Sequence, residues 1–481
     1  MKPADLSDCF QLLHEASRRH IEVPWPLRQQ RLQKLADMLH THREAIQTAI
    51  SADFGRRSRH ETDLLEMVPT LEGIRHALRH GKRWMRPRKA AVAWPFWPAK
   101  NRIVPQPVGV VGVIAPWNYP LFLSIGPLVG AFAAGNRAMV KTSEHAPAFS
   151  RWLADTVPHY FAADELAIVE GGADVAAAFA ALPFDHLLFT GSTAVGRLVM
   201  QAAAANLTPL TLELGGKSPT LILEDADLDQ AVARVMSGKW VNAGQTCIAP
   251  DYVLLPQALH AAFIEKARAW VGRHYPDLAA NPDYSHIINE NQHRRLQGRL
   301  DEAAREGAAV VPLAGRGDGG NNLLVPHLIS GAPEHTLLMQ EEIFGPLLPL
   351  VPYPSLDEAL AYIRARPRPL ALYVFGKDKA QIDKVLQRTV SGGVSVNDTL
   401  LHVAQEGLPF GGIGASGMGA YHGQAGFETF SHLKPVFVQS RINSMGLLAP
   451  PYGKVFERIV GVFLRRLFLK RFLNRVERSR V

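Results

Sequence analysis

The chain has 481 residues, 47% of them apolar and 20% charged, which is enough for several cored domains and excludes a disordered or fibrous protein. Two cysteines exclude a disulfide framework, and no Cys/His cluster has zinc spacing. The formal net charge is +8, but residues 454–481 hold nine Lys/Arg against two Glu, so the body is nearly neutral and nucleic acid is not the expected partner. The segment after Met1-Lys2-Pro3-Ala4-Asp5 lacks an apolar signal region, and no run reaches about 18 apolar residues, so a cytoplasmic setting is expected.

Residues 5–85 predict helices, with Leu32, Leu35, Ala36, Leu39, Ile46, Ala49 and Ile50 at helical spacing. Asp53-Phe54-Gly55 matches a kinase magnesium motif only by chance, since no glycine-rich loop or catalytic-loop pattern accompanies it. The pairs His40/His42 and His76/His80 sit among Arg and Glu and read as surface histidines, and no metal is expected. A Pro/Trp-rich connector over 84–98 leads to an extended 101–105.

From there, apolar strands alternate with helices. Strands are expected at 108–115, 138–141, 167–170, 186–190 and 210–214, and helices at 121–134, 148–156 and 194–205. This is an α/β pattern with a parallel sheet covered on both faces, which binds ligands beyond the carboxyl ends of its strands. Lys141 ends one strand with Glu144 three residues on. A cation and an acid there suit a ribose or, equally, a surface ion pair. The run from Phe189 through Gly191, Ser192 and Gly196 passes from strand into helix: Gly191 permits the turn, Ser192 can cap, and free amides suit a pyrophosphate. Glu213, between Leu212 and Leu214 and before Gly215-Gly216-Lys217, should have a raised pKa, which suits a general base.

A second α/β alternation begins at 220–223 and the helix 228–241, and runs to 393–397. Within it lies Gly244-Gln245-Thr246-Cys247. An isolated cysteine is by default a buried structural thiol, but with Glu213 upstream the pair supplies the parts for acyl chemistry through a thioester. Gly412-x-Gly414-x-x-Gly417 lacks a βαβ context and reads as a flexible glycine loop. In the tail, Phe456, Ile459, Val460 and Phe463 form an apolar stripe opposite Glu457, Arg458, Gly461 and Arg465, and beyond Arg466 the polar face rotates. The stripe suits either an anionic membrane surface or packing against protein.

Six motifs in order resemble those of the aldehyde dehydrogenase superfamily: Pro116-Trp117-Asn118-Tyr119-Pro120, Lys141-Thr142-Ser143-Glu144, Gly191-Ser192-Thr193, Glu213-Leu214-Gly215-Gly216-Lys217, Gly244-Gln245-Thr246-Cys247 and Glu341-Glu342-Ile343-Phe344-Gly345-Pro346. The stretch from Leu408 to Ser431 resembles the class 3 branch. Residues 396–405 with Pro450-Pro451-Tyr452-Gly453-Lys454 are most similar to bacterial coniferyl aldehyde dehydrogenases.

The resemblance implies an α/β aldehyde dehydrogenase fold. Its parts would be a Rossmann-like NAD-binding domain (1–87 and 108–214), a catalytic domain (215–410), a glycine-rich return (411–429), an oligomerisation arm (88–107 and 430–445) and a basic tail (446–481). It further implies a homodimer and NAD as cofactor, with NADP as the alternative. Cys247 would be the nucleophile, Asn118 the oxyanion donor and Glu213 the activator of water. Lys141 and Glu144 would hold the adenosine ribose, Gly191, Ser192 and Gly196 the pyrophosphate turn, and Glu342 the nicotinamide ribose, with Phe344 beside it. Tyr119, Trp240, Leu401 and His402 could line an aldehyde tunnel or belong to the core. An aromatic aldehyde such as coniferyl aldehyde is the expected substrate. Competing readings are a membrane-associated fatty aldehyde dehydrogenase, a CoA-acylating relative and a non-catalytic binding protein on the same fold.

Overall fold

The structure, a computed structural model, describes residues 3–315, 322–443 and 445–465. The chain divides into two units, residues 1–85 with 106–432, and residues 86–105 with 433–481.

In the first unit the N-terminal region is helical, and Leu32, Leu35, Leu39, Ile46 and Ile50 are buried at the predicted spacing. Asp53 accepts hydrogen bonds from the backbone N–H groups of Ala148 and Phe149 at 2.8 and 2.9 Å. It thereby caps the first turn of the helix Pro147–Thr156, which gives the kinase-like tripeptide a structural task.

A six-stranded sheet follows in the order Gly417–Met418, Leu210–Leu214, His186–Gly191, Val110–Ile114, Arg137–Lys141, Leu166–Val169. Its strands are parallel except the first, which runs antiparallel to Leu210–Leu214. Val110–Ile114 is buried at every position, as a strand covered on both faces should be. Sequence order reverses between Val110–Ile114 and His186–Gly191, and a crevice opens at such a switch point beyond the strand ends. Each of these two strands is followed by a helix, the first after residues 115–119 and the second after Ser192. Pro120–Ala134 has proline in its first turn and ends at Gly135, whose φ of 95° is the left-handed stop. Thr193–Ala204 is capped by Ser192, whose hydroxyl accepts from Val195 N–H.

The second sheet has seven strands in the order Ala309–Pro312, His327–Ser330, Leu347–Tyr353, Tyr252–Pro256, Pro219–Ile222, Ala371–Phe375, Gly393–Val396. Only the first pair is antiparallel.

One expectation is overturned. The segment Gly412–Gly417 is not a free glycine loop: Gly417 pairs with Glu213 as an edge strand, and Ser416 O accepts from Leu214 N–H at 3.1 Å. Glycine is required there by close approach, since a Cβ on Gly417, at φ 143°, would lie 2.1 Å from Leu212 O.

In the second unit, Arg88–Ala90, Lys100–Pro107 and Ser431–Val438 form a three-stranded sheet. The tail helix, residues 454–465, belongs to this unit. Its Phe456, Ile459, Val460 and Phe463 are half-buried, and Phe463 meets Trp94 at a ring distance of 5.0 Å. Phe463 of the stripe is engaged by Trp94 of the arm, which favours packing over a membrane surface. The rotated polar face beyond Arg466 lies outside the described residues. Among the described residues no helix is long and apolar enough to cross a membrane.

Candidate active site

An open cleft lies beyond the carboxyl ends of the six-stranded sheet. Asn118, Gly191, Ser192, Glu213, Cys247, Glu342 and Phe344, far apart in sequence, all border it.

Cys247 lies in a turn that follows a left-handed stretch, with φ of 49°, 50° and 74° at Asn242, Ala243 and Gly244. Glycine and, to a lesser degree, asparagine accept such angles, but alanine does not, so Ala243 holds a strain that the surrounding contacts must maintain. The thiol is partly exposed to the cleft. Burial by the surrounding protein, and then the charges of Glu342 and Glu213, push its pKa up to about 12, against the opposing effect of the N–H groups of Cys247 and Ile248. Asn118 donates one amide hydrogen from Nδ2 to Gln245 O at 3.1 Å, which leaves the second hydrogen on that nitrogen unassigned. Its carbonyl accepts from Arg57 Nη1 and Asn242 Nδ2, each at 3.0 Å.

Glu213 stands on the strand Leu210–Leu214, between Thr190 on one side and Gly417 on the other. It is 3% exposed, and neither carboxylate oxygen has a hydrogen-bond partner among the described residues. Burial raises its pKa well above the ordinary carboxylate value. Such a group is a stronger base than a solvated glutamate.

Glu342 reaches the cleft from the other sheet, its pKa raised to about 8 by burial and then by Asp251. A Cβ on Gly215 would lie 1.8 Å from Glu342 Oε2, so the Gly215-Gly216 turn leaves the room this carboxylate occupies. The loop carrying Glu342 is clamped from two sides. Lys217 Nζ donates to Asp251 Oδ2, Leu338 O and Glu341 O at 2.5, 2.8 and 2.9 Å, while Asp251 Oδ1 accepts from Ile343 N–H at 2.9 Å. Arg299 Nη1 donates to Glu342 O at 2.5 Å and Arg295 Nη2 to Ile343 O at 2.8 Å. Phe344, at φ 51°, sets its ring edge-on to Trp117 at 5.4 Å.

Lys217 and Asp251 are 10% and 4% exposed at their side chains, so Lys217→Met should leave a buried carboxylate without its cation. The expected loss is about 3–5 kcal/mol of stability. A urea titration checks it, and a midpoint unchanged from wild type would count against the clamp.

Other predicted residues fall elsewhere. Lys141 and Glu144 are not among the cleft-lining residues and pair with each other, Nζ to Oε2 at 3.2 Å, at the end of Arg137–Lys141. Gly196 permits close packing, since a Cβ there would lie 2.7 Å from Leu214 Cδ2. Of the residues suggested for a tunnel, Trp240 is wholly buried in the core with its indole N–H on Met236 Sδ. Tyr119 is buried with its hydroxyl 2.6 Å from Thr246 Oγ1. His402 is buried with Nδ1 3.0 Å from Ser395 Oγ, and Leu401 is exposed. None of the four lines the cleft.

The cleft suits a dinucleotide by its donor set. First-turn residues Thr193 and Ala194 of a capped helix border it, and first-turn amides have no acceptor within their own helix. Arg197 and Arg368 add positive charge for phosphate.

Two α/β sheets, with a cysteine and a buried glutamate bordering one cleft that suits a dinucleotide, form the arrangement of an NAD(P)-linked oxidoreductase. The chain belongs to the aldehyde dehydrogenase family, whose model matches residues 1–436, and it is an enzyme that oxidises aldehydes with NAD(P). It is 52% identical to a probable coniferyl aldehyde dehydrogenase of Pseudomonas aeruginosa, over 92% of this chain and 93% of the relative. It is 47% identical to the coniferyl aldehyde dehydrogenase of a Pseudomonas sp., over 91% and 92%. Among solved structures, the substrate-bound state of Staphylococcus aureus AldH superposes with a TM-score of 0.90 at 37% identity, over 95% of this chain and 99% of that one.

Proposed function

We propose that the enzyme oxidises an aromatic aldehyde of the coniferyl type to its carboxylic acid through a thioester on Cys247. The observation that carries the chemistry is the meeting of Cys247, Asn118 and a hydrogen-bond-free Glu213 at one cleft. The substrate class is supported by the relatives that bear the coniferyl name.

In this mechanism the Cys247 thiol gives its proton to solvent water in the open cleft, and its sulfur bonds to the aldehyde carbon as the carbonyl π bond breaks to leave the oxyanion. The free Nδ2 hydrogen of Asn118 and the Cys247 N–H hold the resulting oxyanion. NAD(P), when bound, supplies the acceptor for the hydride that leaves the same carbon. Glu342 and Phe344 flank the site where the nicotinamide end would lie and Ser192 and the first-turn amides the pyrophosphate, while Lys141 with Glu144, outside the cleft lining at the carboxyl end of Arg137–Lys141, would take the adenosine ribose. Glu213 then takes a proton from water, the water oxygen bonds to the thioester carbon, and the C–S bond breaks to release the acid and restore the thiolate. A second copy of the chain is the proposed partner, supported by exposed Trp97, Phe437 and Ile442 in the arm unit.

NAD(P)H formation with coniferaldehyde, benzaldehyde, hexanal and acetaldehyde tests the substrate class. The expected order places kcat/KM for the two aromatic aldehydes at least about tenfold above hexanal, the scale of one or two pocket contacts. Preference for hexanal would overturn the aromatic reading in favour of a fatty aldehyde.

A further inference from the structure

We infer that Arg57, anchored by Glu66 and opposed across the Asn118 carbonyl by a Glu61–Asn242 arm, is a positioning residue that fixes the Asn118 amide over the Cys247 turn. This rests on the reading of Asn118 as oxyanion donor.

Arg57 and Glu66 form an ion pair at 2.9 Å with neither side chain exposed. Desolvation makes such a pair poor evidence of stabilisation in itself, so its placement is what needs a physical account. The guanidinium lies between two rings, its carbon 5.1 Å from the centre of Phe54 and 4.9 Å from that of Tyr119. Its Nη1 donates to Asn118 O. The other carboxylate oxygen of Glu66 accepts from Leu121 and Phe122 N–H at 2.7 and 3.2 Å, in the first turn of the helix Pro120–Ala134. The pair therefore grips the backbone on both sides of Tyr119: the cation on the carbonyl before it, the anion on the amides after it.

A second arm closes on the same carbonyl. Asn242 Nδ2 donates to Asn118 O and to Gln245 O at 3.0 and 3.1 Å. The backbone N–H of Asn242 is held by both oxygens of Glu61, at 3.2 and 3.1 Å, and Glu61 also accepts from Ser285 Oγ at 2.8 Å. Glu61 thus keeps the left-handed turn at Asn242 in place, and that turn delivers Gln245–Cys247. Asn118 Nδ2 and the Tyr119 hydroxyl complete the connection through Gln245 O and Thr246 Oγ1. Nucleophile and amide donor are cross-braced by groups that do not border the cleft. A donor acts on a developing oxyanion only if held within a few tenths of an ångström of its position, and this bracing meets that need.

The test uses the full-length enzyme as Arg57→Met, Asn118→Ala and the double variant. It measures kcat/KM for an aromatic aldehyde at saturating NAD(P), and separately the rate at which iodoacetamide alkylates Cys247, a reaction that makes no oxyanion. Arg57→Met should lower kcat/KM about 10²-fold, mostly in kcat, the size of losing one oxyanion donor. Alkylation should stay within about twofold of wild type, and Arg57→Lys should recover about tenfold of the loss because the cation is kept without its fork. The double variant should be no slower than Asn118→Ala alone, as groups acting as one unit are not additive. Additive losses, or alkylation falling in step with turnover, would overturn the inference in favour of a general structural role. If Arg57→Met does not fold, Arg57→Lys, which keeps the cation without its fork, carries the test with a loss of about tenfold, and the same pattern is required of it. Asn118→Ala with less than about a threefold loss would remove the oxyanion reading itself, since one such donor is worth far more.

Discussion

Cys247→Ala is expected to abolish NAD(P)H formation, a loss of at least about 10⁴-fold, while the fold persists. No other thiol can substitute. The second cysteine, Cys9, packs against a separate core cluster with Leu6, Phe10 and Leu13, and it does not border the cleft. The loss in stability should be small, because Cys247 is partly exposed in a turn whose shape is held by Asn242, Gln245 and Thr246 rather than by the sulfur. Differential scanning fluorimetry with and without NAD should show a near-native midpoint and retained cofactor stabilisation. Turnover above about 1% of wild type would sink the thioester route, since no residual nucleophile would account for it. The wild-type thiol adds a pH test. With its pKa pushed up to about 12, the thiolate fraction in the free enzyme rises about tenfold per pH unit from 7 to 10, and alkylation of Cys247 should rise in step. A plateau near pH 8 would mean that the free enzyme already stabilises the thiolate.

How far the sequence led depends on the range of the physics involved. Helices and strands with periodic or unbroken apolar runs, such as Leu32–Ile50 and Val110–Ile114, were legible because their burial is written in local spacing. Cys247 and Glu213 were legible because each stands in a short motif whose chemistry is local. The braces around them were not. Glu61 meets Asn242 across 181 positions, and Lys217 meets Glu341 across 124, and nothing near either end signals the other. The strained turn before Cys247 was hidden for a related reason: Asn242 and Ala243 adopt positive φ without the glycine that marks such angles in a sequence. Gly412–Gly417 failed in the opposite direction. Its glycines suggested freedom, whereas they allow a backbone to approach Leu212 and Glu213 too closely for any side chain. Trp240 matched a tunnel wall by composition, yet its face was decided by core packing around the helix Leu228–Trp240.

Glu213→Gln should separate the two halves of the reaction and, at the same time, make the protein more stable. With the base for water removed, one equivalent of NAD(P)H should form in a burst and steady turnover should fall about 10³-fold, within the range general-base removal produces. The acyl group left on Cys247 should be visible as added mass on the intact chain. The stability effect follows from the unpartnered carboxylate. In the unfolded chain a glutamate loses its proton near pH ~4.3. In the folded chain burial raises that pKa well above its usual value. Between the two values the native state binds the proton that the unfolded state has lost, so wild-type stability declines as pH rises through that window and is undiminished only below it. Glutamine has no proton to lose and escapes the decline. The thermal midpoints of variant and wild type should therefore nearly coincide at pH 4 and diverge as pH rises through the window, the variant being more stable by on the order of 1.4 kcal/mol for each pH unit between the two pKa values. A variant less stable than wild type at pH 8 would show that the glutamate is held by a favourable partner. A burst lost together with turnover would assign Glu213 to deprotonating Cys247 instead of water.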